Sequence, residues 1–285
     1  MAFVAIHRGR LLGTWGDAER RVGVASVRKS LLSSLLGRAI ARGALRLSDT
    51  LAEYGIDDAP DPLTPEEKQA TLADLLAARS GITHPAIDQV GWAERPPRGS
   101  LRPGERFLYN NWDFNALGVI YERATGTRIG PAFAREIAAP TGMQDFAPED
   151  VTYTSGPVST IAAYKFRASA RDLARFGLLH LRGGVWRGAQ IVPAWWVRLA
   201  TRPHSRLPGG LGYGLQWWTG SGRAFSPRVA LRGASFWASG TGGQQVFVLP
   251  WCDLVLVHLV ADTVQGIEGD GVARLLAAVL DGIGA

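Results

Sequence analysis

Segments typical of β-strands lie at both ends of the chain, and segments typical of helices lie between them. Residues 3–15 alternate apolar and polar side chains around Arg8-Gly9-Arg10, which predicts a β-hairpin. After residue 209 the runs YGLQWW, ALRGASFWASG, QQVFVLP and DLVLVHLVA are divided by Gly, Pro and Asp, and an amphipathic helix is expected at 272–280. Strands at both ends are most simply explained by one shared antiparallel sheet.

This order of elements predicts an α/β (α+β) fold, with an antiparallel sheet that is flanked by helices and formed by both chain ends, plus a mainly helical domain. We assign residues 1–45 and 165–285 to an α/β sandwich domain and residues 46–164 to the helical domain. The loop at 82–108 is too long to be only a connector, and loops of that length often build sites. We expect the active site in the cleft between the two domains.

Composition argues against several classes of protein. The net charge is +6, but the basic residues are scattered without Lys/Arg runs, so we expect no nucleic-acid partner. No stretch approaches the roughly 20 apolar residues that span a bilayer, so we expect no membrane partner. The single Cys252 cannot form an internal disulfide, and the chain starts without an export signal, so a cytoplasmic location is expected.

Ser26 and Lys29 form an S-x-x-K motif at the start of an apolar helical pattern. Residues i and i+3 lie on the same face of a helix, so the lysine amine is placed to take the proton of the serine hydroxyl. A lysine acts as a base only if its pKa of about 10.4 falls by several units, which burial and the helix N-terminus favour. Ser26 is therefore a candidate nucleophile and Lys29 its base.

The rarity of lysine strengthens this interpretation. The chain has 28 arginines and only 3 lysines, and an arginine stays protonated, so it cannot replace the base. The alternative is a solvated helix face, on which the neighbouring Arg28 and Lys29 would simply be charged surface residues.

The segment FLYNNWDFN, residues 107–115, contains a Y-x-N motif and all three asparagines of the chain. Tyr109 is suited to relay a proton between Lys29, Ser26 and a leaving group, and the Asn111 amide to donate to a substrate carbonyl or to Lys29. Asp113 could orient a substrate amine. The alternative is an Asn-rich turn that caps the helix beginning near Asp113.

A third candidate segment is WASGTGGQQVFVLP, in which glycines precede a β-strand pattern. An acyl-transfer site needs backbone N–H groups aimed at the oxyanion, and glycines allow a strand to approach the substrate closely. We expect Ser239, Gly240 and Thr241 to contact substrate, with the N–H groups of Ser26 and Thr241 as oxyanion donors. A Gly-rich turn without function remains the alternative.

Taken in order, these three motifs resemble the serine β-lactamase/penicillin-binding-protein superfamily, with the closest likeness to class C β-lactamases, family VIII esterases and 6-aminohexanoate-dimer hydrolases. The resemblance extends over nearly the whole chain and includes LADLLAARSGI, SARDLARFGLLHLRGG and YGLQWW. It implies the nucleophile at Ser26, the general base at Lys29, the proton-relay tyrosine at Tyr109 and the amide at Asn111.

Two features depart from this superfamily's pattern. Its third motif usually begins with Lys or His, whereas this chain has Ala238-Ser239-Gly240, which favours an esterase or amidase over a lactam-active enzyme. Arg232 is a candidate replacement cation. Only 25 residues precede Ser26, and the usual N-terminal helix is not apparent, so a truncated start stays open.

Other residues support rival roles. His84 is the best histidine for a Ser-His-Asp triad, although no G-x-S-x-G motif accompanies any serine. The remaining histidines show no ligand spacing, so we expect no metal and no cofactor. Four tryptophans are candidates for an apolar acyl pocket, with core packing as the alternative: Trp92, Trp112, Trp217 and Trp218.

The sequence thus predicts a serine hydrolase that cleaves a small-molecule ester or amide through an acyl-enzyme on Ser26. A true β-lactamase or D,D-peptidase is the first alternative, and an inactive homologue that binds its ligand without turnover is the second. The substrate and the oligomeric state stay open.

Overall fold

A computed structural model of the protein describes residues 1–89, 96–261 and 270–285. An eight-stranded antiparallel sheet has the order β2-β1-β13-β12-β11-β10-β9-β8, in which β1 pairs both with β2 and with the last strand, β13. The predicted hairpin and the predicted antiparallel sheet are confirmed. The strands of this sheet are β1 (Ala2–His7), β2 (Arg10–Gly16), β8 (Ser205–Arg206), β9 (Leu211–Tyr213), β10 (Trp218–Ser226), β11 (Val229–Gly240), β12 (Gln244–Leu249) and β13 (Leu254–Leu259).

Helices cover both faces of this sheet. On one face α6 packs against β1, β12 and β13, and on the other α8 packs against β10 and β11. Within the described ranges no helix combines the length and the apolar character needed to cross a bilayer. The helices are α1 (Arg28–Ala41), α2 (Leu72–Leu76), α3 (Asn111–Thr125), α4 (Ile129–Phe133), α5 (Ala139–Thr141), α6 (Ala170–Leu181), α7 (Ala194–Ala200) and α8 (Asp270–Gly282), and a π-helical turn, Ala134–Ala138, joins α4 to α5.

A second, three-stranded sheet has the order β3-β5-β4 and lies partly in the segment that we expected to be mainly helical. Its strands are β3 (Val22–Gly23), β4 (Val151–Gly156) and β5 (Ser159–Ala168), and β6 (Val185–Trp186) pairs separately with β7 (Ala189–Gln190). The domain boundary expected at residue 165 falls inside β5. The division into 1–45 with 165–285 and 46–164 stays a prediction.

The run YGLQWW is not one strand as expected. β9 ends at Tyr213 and β10 begins at Trp218, and the four residues between them form a connection. Gln216 has a positive φ of 70° in this connection. The break has a packing role, because the carbonyl groups of Leu215 and Gln216 accept hydrogen bonds from the hydroxyls of Ser33 (2.8 Å) and Ser30 (2.6 Å) on α1.

α1 is enclosed by the rest of the protein. Eleven of its residues are buried, including the charged Arg28 and Lys29. A Cβ atom at Gly37 would lie 2.2 Å from the Trp196 ring, so α1 and α7 are in close contact at that point. The 3₁₀ turn Ala25–Val27 leads into α1, and Ala25 adopts a positive φ of 46°, a strained conformation for a residue with a side chain.

The turn before α3 is fixed by side chains. Asn110 caps α3 by accepting the Trp112 N–H at 2.9 Å and donates from its side-chain amide to the Ile82 carbonyl at 2.8 Å. The Trp112 indole N–H donates to the buried Asp58 carboxylate at 2.6 Å. Asp58 also accepts from the Ser159 hydroxyl at 2.8 Å and the Thr160 N–H at 2.7 Å. Asp58 thus joins the start of β5 to the turn that carries Tyr109 and Asn111.

Replacement of Asp58 by Asn should destabilise the protein by about 2–4 kcal/mol at pH 7, because an amide cannot accept all of these hydrogen bonds. Burial by itself raises the pKa of Asp58, but the hydrogen bonds outweigh burial and hold that pKa well below its usual value. The stabilisation is therefore present above the unfolded-state pKa of about 4 and is lost as the pH falls through the folded-state pKa.

Urea unfolding of wild type and Asp58→Asn at pH 7 and pH 3.5 measures the difference in their free energies of unfolding and how it changes with pH. The exposed Asp281→Asn on α8 is the control and should leave the urea midpoint unchanged. Equal midpoints for wild type and Asp58→Asn at pH 7 would contradict the assigned role of Asp58.

Candidate active site

Ser26, Lys29 and Tyr109 form one hydrogen-bonded cluster. Lys29 Nζ lies 2.6 Å from Ser26 Oγ and 2.8 Å from the Tyr109 hydroxyl. The 3₁₀ turn positions Ser26, the first turn of α1 positions Lys29, and the segment before α3 positions Tyr109. The amine therefore bridges two hydroxyls that are 83 residues apart in the sequence.

Lys29 is buried, with 2% of its surface exposed. Its Nζ lies 4.6 Å from the centre of the Tyr109 ring and 4.7 Å from that of Phe114. Burial, with a smaller contribution from the Arg28 guanidinium, lowers the pKa of Lys29 well below its ordinary value. A neutral amine has a lone pair that can accept the Ser26 proton. The alternative of a solvated helix face is wrong for Arg28 and Lys29.

Aromatic rings fix the orientation of Tyr109. Trp218 stacks on its ring at a centroid distance of 5.5 Å, and Phe114 meets it edge-on at 4.8 Å. Burial raises the pKa of the Tyr109 hydroxyl, against smaller opposing effects of Ser26 and Arg28. The phenol therefore stays protonated at neutral pH and is able to donate a proton.

The end of β11 packs against the turn that holds Ser26. A Cβ atom at Gly240 would lie 2.6 Å from the Val24 carbonyl oxygen and 3.0 Å from Ser26 N, so only glycine allows this approach. Thr241 follows directly, and Ser26 lies in the first turn of its helix, where backbone N–H groups have no partner within the helix. This places the backbone of the two expected oxyanion donors on adjacent segments.

The Asn111 side chain lies at the same site but does not bind Lys29. Its amide donates to the Asp88 carbonyl at 2.6 Å, and its backbone N–H donates to Gln89 Oε1 at 3.0 Å. Its side-chain oxygen is buried, and the described part of the chain offers it no hydrogen-bond partner. Asn111 therefore presents a carbonyl acceptor near Ser26 rather than a contact to Lys29.

Two cavities open beside Ser26, and Ser26, Tyr109 and Thr241 belong to both. The first, of about 540 Å³, has Trp218, Phe225 and Val272 among its apolar walls, together with Ser239 and Gly240. The second, of about 520 Å³, includes Arg28, Asp88, Asn111 and Lys165. A molecule bound at Ser26 can thus extend in two directions, and the second cavity is the one that carries the cationic side chains of Arg28 and Lys165.

The four candidate tryptophans have different positions. Trp218 lines the first cavity. Trp112 lines neither cavity, contrary to our expectation, because it is fully buried and its indole N–H is held by Asp58. Trp217 is also a core residue, stacked on Phe176 at 5.9 Å. Trp92 lies outside the described residues.

His84 and Asp113 are not at the nucleophile. His84 is buried beside Asp58 and Glu67, with Nδ1 3.8 Å from Asp58 and Nε2 3.6 Å from Glu67, and no serine is its hydrogen-bond partner within the described ranges. Asp113 is buried and accepts the Ser80 hydroxyl at 2.6 Å. The residues needed for a Ser26-based triad with His84 are therefore not brought together.

Several wall residues were missed by the sequence analysis. Phe225, Lys165 and Asp88 carry no motif, although Asp88 lies in the loop at 82–108, which the sequence analysis expected to take part in a site. Arg28 could have been found, because it lies inside the S-x-x-K motif. Ala238 is buried in the core, and Arg232 is exposed on β11 and lines neither cavity, so Arg232 does not supply the absent cation.

Comparison with known proteins identifies relatives of this fold. A 6-aminohexanoate-dimer hydrolase of Paenarthrobacter ureafaciens is 28% identical over 276 residues, which cover 83% of this chain and 68% of that protein. D-alanyl-D-alanine-carboxypeptidase/endopeptidase AmpH of Escherichia coli strain K12 is 28% identical over 152 residues, 48% of this chain and 37% of that protein. The crystal structure of a β-lactamase from Mycobacterium bovis matches with a TM-score of 0.65 and 26% identity, over 99% of this chain and 93% of that one.

The family model described as Beta-lactamase matches residues 1–280, nearly the whole chain. The resemblance to the serine β-lactamase/penicillin-binding-protein superfamily is thereby confirmed. The chain belongs to the β-lactamase family, a family of hydrolases.

Proposed function

We propose that the protein is a serine hydrolase that cleaves a small ester or amide through an acyl-enzyme on Ser26. The observation that carries this proposal is the buried Lys29 amine, which lies within hydrogen-bond distance of both Ser26 Oγ and the Tyr109 hydroxyl. A base, a nucleophile and a second proton carrier are thereby in contact before any substrate binds.

Acylation begins when Ser26 Oγ attacks the substrate carbonyl carbon and its proton passes to the neutral Lys29 amine. The carbonyl oxygen becomes an oxyanion, which the N–H groups of Ser26 and Thr241 stabilise. The tetrahedral intermediate then collapses, and the leaving group takes the Tyr109 proton while Tyr109 recovers a proton from Lys29. The acyl group remains on Ser26, and Lys29 is neutral again.

Deacylation repeats these steps with water as the nucleophile. Tyr109 and Lys29 take a proton from water as its oxygen attacks the acyl carbon, and they return a proton to Ser26 Oγ as the acid leaves. Ala238, at the position where this superfamily usually has Lys or His, favours an ester or amide over a lactam. The relationship to AmpH is the reason to include penicillins in a substrate screen.

Brief exposure to a fluorophosphonate probe should add one label to the wild type and none to Ser26→Ala, as read by intact mass. A fluorophosphonate reacts fastest with an activated serine, and Ser26 is the serine that contacts a buried lysine amine among the residues the structure describes. Ser100→Ala, which removes an exposed serine outside the cleft, is the matched control and should label like the wild type.

The other outcomes are informative. A label that survives in Ser26→Ala places the nucleophile elsewhere and contradicts the proposal. No label on the wild type, with retained binding of ester ligands, indicates a homologue that binds without turnover.

Lys29→Arg should lower kcat/KM for an ester by about 10³-fold, because a guanidinium keeps its proton and cannot act as the base. Lys68→Arg makes the same exchange at a surface ion pair with Asp57 and should leave kcat/KM unchanged. In the wild type, kcat/KM should rise with pH as Lys29 loses its proton, with a midpoint well below the ordinary lysine value of 10.5.

A pH profile from 5 to about 10 for all three proteins tests this assignment, since kcat/KM reports the free enzyme. A wild-type midpoint near 10.5, or full activity in Lys29→Arg, would show that Lys29 is not the base.

A further inference from the structure

Arg28 is a buried cation at the nucleophile. It has 5% of its surface exposed, and its guanidinium stays protonated in any protein environment. A buried charge is unfavourable unless an opposite charge or a full set of hydrogen bonds compensates for it. The partners of Arg28 therefore indicate whether its charge is satisfied within the protein.

The partners of Arg28 within the described residues are all uncharged. Nη2 donates to Asn115 Oδ1 at 2.7 Å, and the guanidinium carbon lies 4.2 Å from the centre of the Tyr164 ring. Nη1 is buried, and no hydrogen-bond partner for it lies within 1–89, 96–261 or 270–285. Among the described residues, no carboxylate lies within ion-pair distance of Arg28. The half-buried Arg38 on the same helix, by contrast, is paired with Glu136 at 2.9 Å.

The second cavity brings Arg28 and Ser26 into one wall. Asp88 is the acidic group of this cavity among its described lining residues, and it is paired with Lys165 at 3.1 Å. The remaining charge on the wall is therefore the positive charge of Arg28. Lys29 does not add to it while its amine is neutral.

We propose that the second cavity binds an anionic group of the substrate, a carboxylate, which supplies the missing counter-charge of Arg28. This inference rests on the proposed serine hydrolase function and narrows its substrate class to esters or amides that carry a carboxylate on one side of the scissile bond. Guanidinium–carboxylate contacts are charge-assisted and stronger than neutral hydrogen bonds, so they discriminate well between a charged substrate and its neutral analogue.

Two matched pairs of chromogenic esters test the proposal on the full-length protein. The first pair carries the charge on the acyl group: 4-nitrophenyl hydrogen adipate and its neutral monoamide. The second carries it on the leaving group: 4-carboxyphenyl butanoate and 4-carbamoylphenyl butanoate. The ratio of kcat/KM for the charged and neutral members is the readout, because a general change in the catalytic groups affects both members and cancels.

The wild type should prefer the charged member of one pair by about tenfold or more, and Arg28→Gln should abolish that preference. Arg232→Gln removes the same charge from an exposed position outside both cavities and should keep the wild-type ratio. If Arg28→Gln does not fold, the kcat/KM ratios of the wild type for the two ester pairs still show whether the cleft prefers a carboxylate.

The failure of this inference is distinguishable from failure of the proposed function. If the fluorophosphonate labels Ser26 but the wild type prefers the neutral member of both pairs, the anion site is refuted while the hydrolase stands. The same holds if Arg28→Gln is folded and keeps the preference. If neither Ser26 labelling nor ester hydrolysis occurs, the proposed function fails and the inference fails with it.

Discussion

The contact of the Lys29 amine with two hydroxyls is the interaction on which the rest of the site depends. Proton transfer to this amine requires its neutral form, and burial of the first turn of α1 shifts the pKa of Lys29 in that direction. The enclosure has a cost in stability. Lys29 has a lower pKa in the folded protein than in the unfolded chain. At a pH between these two values the unfolded chain binds the additional proton, so Lys29 lowers the free energy of unfolding. This destabilisation diminishes as the pH rises toward the unfolded-state pKa.

The neighbouring positions 28 and 29 illustrate why arginine and lysine are not interchangeable. Both side chains are buried on one helix turn, but only the lysine can give up its proton. The guanidinium of Arg28 keeps its charge and, by repulsion, makes a second charge beside it unfavourable. Position 28 thus carries a buried positive charge beside the cleft, and that charge adds to the effect of burial in lowering the pKa of Lys29.

The sequence predicted what depends on local pattern and on motif. The hairpin at 3–15, α8, and the order of strands and helices followed from periodicity, and Ser26, Lys29 and Tyr109 followed from rare residues at fixed spacing. The predictions that were wrong concern features that depend on tertiary packing. Trp112 reads like a pocket residue but is turned toward Asp58, which lies 54 positions earlier in the chain. The strand character of 151–168 was missed, and YGLQWW was read as one strand because its apolar residues conceal a turn at Gln216. Whether Asn111, Ser239 and Thr241 contact substrate stays a prediction.

The pairing of β1 with β13 has a consequence for the order of events during synthesis. Ser26 and Lys29 emerge from the ribosome early, but the strand that places Gly240 against Ser26 emerges more than 200 residues later. A nascent chain therefore carries Ser26 and Lys29 for most of translation without the strand that closes this side of the cleft. Contacts of such long sequence separation form slowly, so the cleft is completed only as the last strands join the sheet.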